Sequence, residues 1–115
     1  MKEKTINIAK DFSPYPAGRY EKDGKFTGEG FRRTMLKKAL QNNDIVIVEL
    51  DGTLGYGSSF LEEAFGGLVR EDNFSEEDLI NRLELVGRRK SVIDSILSYI
   101  HNAQVQKNST SRGNK

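Results

Sequence analysis

Alternating and helically spaced apolar residues divide the chain into strands and helices. Residues 5–12 place Ile6 and Ile8 on one side, which predicts an edge strand. Residues 13–18 contain two prolines and a glycine, which cannot continue a strand ladder and therefore predict a turn. A brief second strand is expected at residues 19–21.

The next segments predict a helix, a buried strand and a second helix. Thr27 is a candidate N-cap, and apolar residues then recur at helical spacing as far as residues 42–43. Residues 44–50 include four consecutive β-branched residues, which predicts the central strand. After a loop at 51–57, Ser59 and Glu62 match a capping box at the start of a helix. In that helix we expect Gly66 and Gly67 to allow close packing against the sheet.

The last third of the chain predicts a short helical turn, a strand and a final helix. Ser75 with Asp78 resembles a helix cap, residues 82–86 alternate, and residues 91–100 carry an apolar stripe. Residues 104–115 have Val105 as their one apolar residue, so we expect a disordered tail after a domain at 1–103. The predicted fold is an α/β sandwich of order β-β-α-β-α-β-α with about four strands in a mixed sheet.

Composition narrows the possible functions. The 115 residues include no cysteine and one histidine, and the net charge is +1. Disulfides, thiolate metal sites and cysteine nucleophiles are therefore excluded, and we expect no metal and no cofactor. The longest apolar run is residues 45–48, which predicts a cytoplasmic protein with no membrane partner.

The loop at 51–59 is the main candidate site. Its three glycines permit sharp turns, and they lead to Ser58 and Ser59 at a helix N-terminus, where free N–H groups favour an anion. Both serines are candidate phosphoacceptors, although one could instead be a cap while the other fills a turn. The candidate binding residues are Asp51, Gly52, Gly55, Tyr56, Gly57, Phe60, Glu62, Glu63, Arg19 and Arg32.

Residues 45–68, with the stretch Gly-Ser-Ser-Phe-Leu-Glu-Glu-Ala-Phe-Gly-Gly, resemble a STAS-like family of unknown function. The resemblance extends to residues 11–13, 18–19, 27–32 and 82–86 and to the last helix. STAS domains are those of sulfate transporters and anti-sigma-factor antagonists. The resemblance implies a regulatory module of a bacterial or mobile-element system, in which a histidine-kinase-type ATPase phosphorylates a serine. Gly57 stands where that group usually has an acidic residue.

Two enzymatic interpretations of the sequence are weaker. Asp51-Gly52-Thr53 after an apolar strand resembles the first motif of haloacid-dehalogenase phosphatases, but Glu49 occupies the nucleophile position and is one methylene too long. No catalytic triad can be assembled, since it would have to use His101. We therefore expect a protein-interaction module and not an enzyme.

Two binding alternatives stay open. The loop at 52–59 could bind a nucleotide or another phosphate compound. Basic clusters at residues 32–33, 37–38 and 88–90 could contact nucleic acid, although the overall charge gives little support for that.

Overall fold

Three parallel strands form the sheet of this protein, whose structure is a computed structural model describing residues 1–113. The strands are β1 (Glu3–Asn7), β2 (Ile45–Glu49) and β3 (Leu83–Val86), in the order β1-β2-β3. Glu3 pairs with Ile45 in β2, and Val46 of β2 pairs with Leu83. The prediction that residues 44–50 form the central strand is confirmed.

Four helices connect and follow the strands. In chain order they are α1 (residues 28–42), α2 (residues 58–70), α3 (Glu76–Arg82) and α4 (Lys90–Gly113). α1 and α2 each contain one π-helical turn, at Arg32–Leu36 and at Glu62–Gly66. A further π-helical turn, Ile8–Phe12, follows β1 directly.

The helices and the inward face of the sheet enclose one core. The inward strand residues and the apolar helix residues belong to one buried core, which makes the fold a two-layer α/β sandwich. Its largest fully buried side chains include three phenylalanines, at positions 31, 60 and 65. Because α1 and α2 touch across this core, the position of α2 depends on α1 as well as on the sheet.

The sheet is smaller than predicted, because residues 19–21 do not form a strand. The carbonyl groups of Gly18 and Arg19 instead accept hydrogen bonds from the N–H groups of Gly28 and Glu29. They thereby satisfy donors that the first turn of α1 leaves without helical partners. The expected four-stranded mixed sheet is therefore wrong, and the three strands present in residues 1–113 are all parallel.

The final helix is much longer than residues 91–100. Gln104 accepts a hydrogen bond from the backbone N–H of Glu76, and Lys107 donates to the carbonyl of Val69 and to Asn73. Residues 104–113 continue this helix, whereas the sequence predicted a disordered tail at 104–115; residues 114–115 lie outside the described residues. Within residues 1–113, no helix combines the length and apolar character needed to cross a membrane.

The helix caps follow the sequence signals in two cases out of three. The Thr27 side chain accepts a hydrogen bond from the N–H of Gly30, and Ser75 accepts one from the N–H of Asp78. The capping box at Ser59 is wrong: Gly57 is the N-cap of α2, and its first helical residue is Ser58. Glycine suits this position because it leaves the N-cap backbone free to be extended.

We predict that Gly28→Ala destabilises the fold. A Cβ at Gly28 would lie 3.0 Å from Cβ of Glu63 and 3.1 Å from the backbone nitrogen of Ala64, so α1 and α2 would have to move apart. The expected loss is about 1–3 kcal/mol in the free energy of unfolding, measured by urea denaturation. Gly57→Ala, where a Cβ meets no atom within 4 Å, should change it by less than about 1 kcal/mol. Equal losses for the two variants would contradict this account.

Candidate functional site

The loop that follows β2 lies at the carboxyl edge of the sheet and is held in place by backbone contacts. Gly52 has a positive φ of 103°, and a Cβ there would lie 3.0 Å from Cβ of Ala9. The N–H of Leu54 donates to the carbonyl of Pro14 at 3.1 Å. The glycine at position 52 is therefore required both for the turn and for the close approach to the segment after β1.

Tyr56 fixes the second half of the loop. Its hydroxyl donates to the carbonyl of Leu50 at 2.7 Å, and its ring stacks on Phe60 with a centroid distance of 6.0 Å. Burial raises the pKa of Tyr56, so the hydroxyl remains a donor at neutral pH. The loop is thus tied to the core on both sides of its exposed tip.

Ser58 and Ser59 are exposed at the first turn of α2. The same loop exposes Leu54, which is 82% accessible, and the Leu54–Pro14 hydrogen bond brings it beside Tyr15, which is 64% accessible. A large apolar side chain this exposed on a fixed loop is available for contact with another molecule. We refer to Tyr15, Leu54, Ser58 and Ser59 as the serine-loop surface.

Asp51 connects this loop to the segment after β3. Its carboxylate accepts hydrogen bonds from the N–H of Arg88 at 3.1 and 3.3 Å. A cleft of about 50 Å³ lies between the two segments, lined in part by Thr53, Tyr56 and Arg89. This volume is far below the several hundred Å³ of a typical small-molecule site, so the geometry gives no support to nucleotide binding.

The predicted site residues divide by exposure. Asp51, Gly52, Gly57, Ser58 and Ser59 are exposed, whereas Gly55, Tyr56, Glu62 and Arg19 are half-buried. Phe60, Glu63 and Arg32 are buried and are not part of the exposed surface of the site. Phe60 instead packs under Tyr56, and the two charged residues pair with each other.

Arg32 lies in a buried ion-pair network between α1 and α2. It is 3% exposed, and its Nε donates to the carbonyl of Glu63 at 3.1 Å. Its two terminal nitrogens donate to the carboxylates of Glu63 and Asp72, each at 2.9 Å. A Cβ at Gly67 would lie 2.5 Å from Nε of Arg32, so that glycine makes room for the guanidinium and does not pack on the sheet as expected.

Further charges surround this pair. Arg19 and Arg70 both contact Glu62 and Glu63, and Lys37 lies 3.4 Å from Asp72. Burial raises the pKa of Glu62, but hydrogen bonds from Arg70 and Arg19 outweigh it and hold the pKa below its usual value. We call Arg19, Arg32, Arg70, Glu62, Glu63 and Asp72 the Arg32 network. It borders an open polar cleft of about 390 Å³.

Sequence reasoning placed Arg32 on the solvent side of α1 and missed this network. One signal was available: Arg32 lies four positions before Leu36, which puts it on the apolar stripe of the helix. Arg33 and Lys37, assigned with it to a basic flank, pair with Glu21 and Asp72. The basic flank proposed for nucleic acid is therefore partly neutralised. Among the residues that the structure describes, no three His, Asp or Glu side chains are placed to hold a metal ion.

We predict that Arg32→Met lowers the free energy of unfolding by about 3–5 kcal/mol, because it removes the buried cation that the carboxylates of Glu63 and Asp72 share. Arg33→Met is the matched control, since its 59% exposed side chain pairs with Glu21 at the surface. It should cost no more than about 1 kcal/mol. Chemical denaturation of both variants checks this, and similar losses would contradict the assigned burial.

We also predict that Glu62 contributes to stability in a pH-dependent manner. Its folded pKa lies below the usual 4.5, so the contribution is complete above that value and is lost as the pH falls through the folded pKa. The free energy of unfolding of the wild type should exceed that of Glu62→Gln by about 1 kcal/mol at neutral pH. The difference should approach zero in acid, as measured by urea denaturation across the pH range. A difference independent of pH would contradict the assignment.

Comparison with known proteins agrees with the architecture. The family model described as a STAS-like domain of unknown function matches residues 27–92, which is more than half of the chain. No curated protein and no solved structure matches the chain. The matched residues run from the N-cap of α1 through the serine loop and β3 into the start of α4. The chain therefore belongs to the STAS-like family of unknown function.

Proposed function

We propose that this protein is a non-enzymatic regulatory module that binds a protein partner through the serine-loop surface. Phosphorylation of Ser58 or Ser59 would switch the interaction. The observation that supports the proposal best is the exposure of both serines and of an 82% accessible Leu54 on one loop that is fixed to the core.

The fixed loop favours binding. Hydrogen bonds from Leu54 to Pro14 and from Tyr56 to Leu50 hold its ends before any partner arrives. A preorganised loop loses little conformational entropy on association, so most of the contact energy is retained as affinity. Leu54 and Tyr15 provide the apolar and aromatic contacts that are typical of interface centres.

The position of the serines suits a phosphate switch. A phosphate at the first turn of α2 would face free N–H groups and the positive end of the helix dipole, so it would not unfold the helix. It would nevertheless add close to two negative charges beside Leu54, which changes the complementarity of the surface. Ion pairs of Glu62 and Glu63 with arginines reduce repulsion from the next turn.

The family supports a proposal for the class of partner. The resemblance to STAS domains favours, as the partner, a histidine-kinase-type ATPase that both binds the domain and phosphorylates its serine. Gly57 in place of the usual acidic residue removes one charge from this site. We therefore expect modification to depend on the serines and on docking at Leu54.

We predict that a purified histidine-kinase-type ATPase from a STAS-regulated system, supplied with ATP, adds one phosphate to the wild-type chain. Intact-mass measurement should show the added phosphate in wild type and in Ser98→Ala, a control serine exposed on α4. Loss of the phosphate is expected when Ser58 and Ser59 are both changed to alanine. Phosphate retained in the double variant would contradict the assignment.

Binding to the same ATPase provides a second test by titration calorimetry. Leu54→Ala and Ser58→Asp should each weaken binding by about tenfold or more, because both change the centre of the surface. Val105→Ala and Ser98→Asp, on α4, should bind as wild type does. Equal affinities for all four variants would show that the partner docks elsewhere.

A further inference from the structure

The face of the sheet opposite the helices is a second surface with its own chemistry. Strand pairing aligns Thr5, Ile47 and Glu84 in one row and Asn7, Glu49 and Val86 in the next. Alternation along each strand turns these side chains away from the core. The outward residues are Glu3, Thr5, Asn7, Ile45, Ile47, Glu49, Glu84 and Val86.

No element within residues 1–113 covers this outer face. The buried core includes the inward residues Val46 and Val48 together with the helices, whereas Ile45, Ile47 and Val86 are not part of it. Val86 is 48% exposed, and Thr5 and Glu84 are exposed as well. Parallel sheets are almost always covered on both faces, so an uncovered one is an unusual surface for an isolated domain.

The outer face is acidic around an apolar centre. Ile45 and Ile47 lie on the central strand, and the carboxylates of Glu3, Glu49 and Glu84 surround them. In the described part of the chain, none of these three carboxylates forms an ion pair. Glu49 accepts a hydrogen bond only from the neutral amide of Asn7, at 3.2 Å. Lys4 is the basic residue of β1, and it lines a cleft on the helix side together with Met35, so it does not belong to the outer face.

The dimensions of this face match one helix. Three strands span about 10 Å, and a five-residue strand is about 16 Å long. An α-helix with its side chains is about 10–12 Å wide and covers 16 Å in roughly three turns. A helix laid along the strands would place its apolar residues at i, i+3 or i+4, and i+7 over the central strand.

We propose that the outer face binds a basic amphipathic helix of a protein partner. Apolar residues of that helix contact Ile45 and Ile47, and lysines or arginines on its flanks pair with Glu3, Glu49 and Glu84. A second copy of this chain is a poor occupant, because it would bring the same three carboxylates against each other. This surface lies on the side of the sheet that faces away from the helices. The proposal does not depend on the function proposed for the serine-loop surface.

The test uses the full chain and two synthetic helical peptides of three to four turns. Both carry leucines on one face, and their flanks carry lysines in one peptide and glutamates in the other. Backbone amide shifts measured by NMR should move on addition of the lysine peptide, mainly at residues 3–7, 45–49 and 84–86. The glutamate peptide should leave them unchanged. Shifts centred on the helices or on residues 52–59, equal binding of both peptides, or no binding at millimolar concentration would overturn the proposal.

Variants of the face separate the charge and apolar contributions. Glu84→Lys and Ile47→Thr should each weaken binding of the lysine peptide by about tenfold. Glu77→Lys makes the same charge change at an exposed position of α3, and this variant should bind as wild type does. Threonine keeps the β-branched shape at position 47, and thermal unfolding confirms that each variant is folded. Unchanged affinity in both face variants would overturn the proposal. It would also be overturned if the wild-type chain formed a dimer and Ile47→Thr dissociated that dimer.

Discussion

The guanidinium of Arg32 is the constraint on which the rest of the structure depends. A buried cation is costly unless its donors are satisfied and its charge is balanced, and Arg32 uses all three of its nitrogens on Glu63 and Asp72. These acceptors come from α2 and from the segment that follows it, so one side chain of α1 aligns both. Burial lowers the pKa of Arg32, but the hydrogen bonds that it donates to its carboxylate partners outweigh this and the residue remains charged.

This network also determines how the serine loop is presented. Glu63 lies one turn after Ser59 on α2, so the ion pair with Arg32 that holds the helix against α1 also sets the direction of its N-terminus. π-helical turns begin at Arg32 and at Glu62, at the level where the ion pair between the two helices forms. π-helical turns often occur at functional sites, where they displace side chains from regular helical positions.

Local signals in the sequence were sufficient for part of this fold. Thr27 and Ser75 cap helices through their own neighbours, and residues 45–49 form the central strand because their β-branched side chains suit it. Distant partners decided the rest. Residues 18–19 serve as acceptors for α1, Arg32 is buried because Gly67 leaves space for it, and α4 extends because Lys107 reaches Val69. The exposed serines were predictable from the glycine-rich loop, whereas burial of Phe60 required Tyr56 to be stacked on it.

The parallel sheet has a consequence for how the chain reaches its native state. Asn7 and Glu49 pair although 42 positions separate them, and no strand of the sheet meets its neighbour through a hairpin. During synthesis β1 therefore has no strand to pair with until β2 has left the ribosome. The second edge of β2 can pair only after β3 has been synthesised. Loop closure over such distances slows folding relative to proteins built from local pairings.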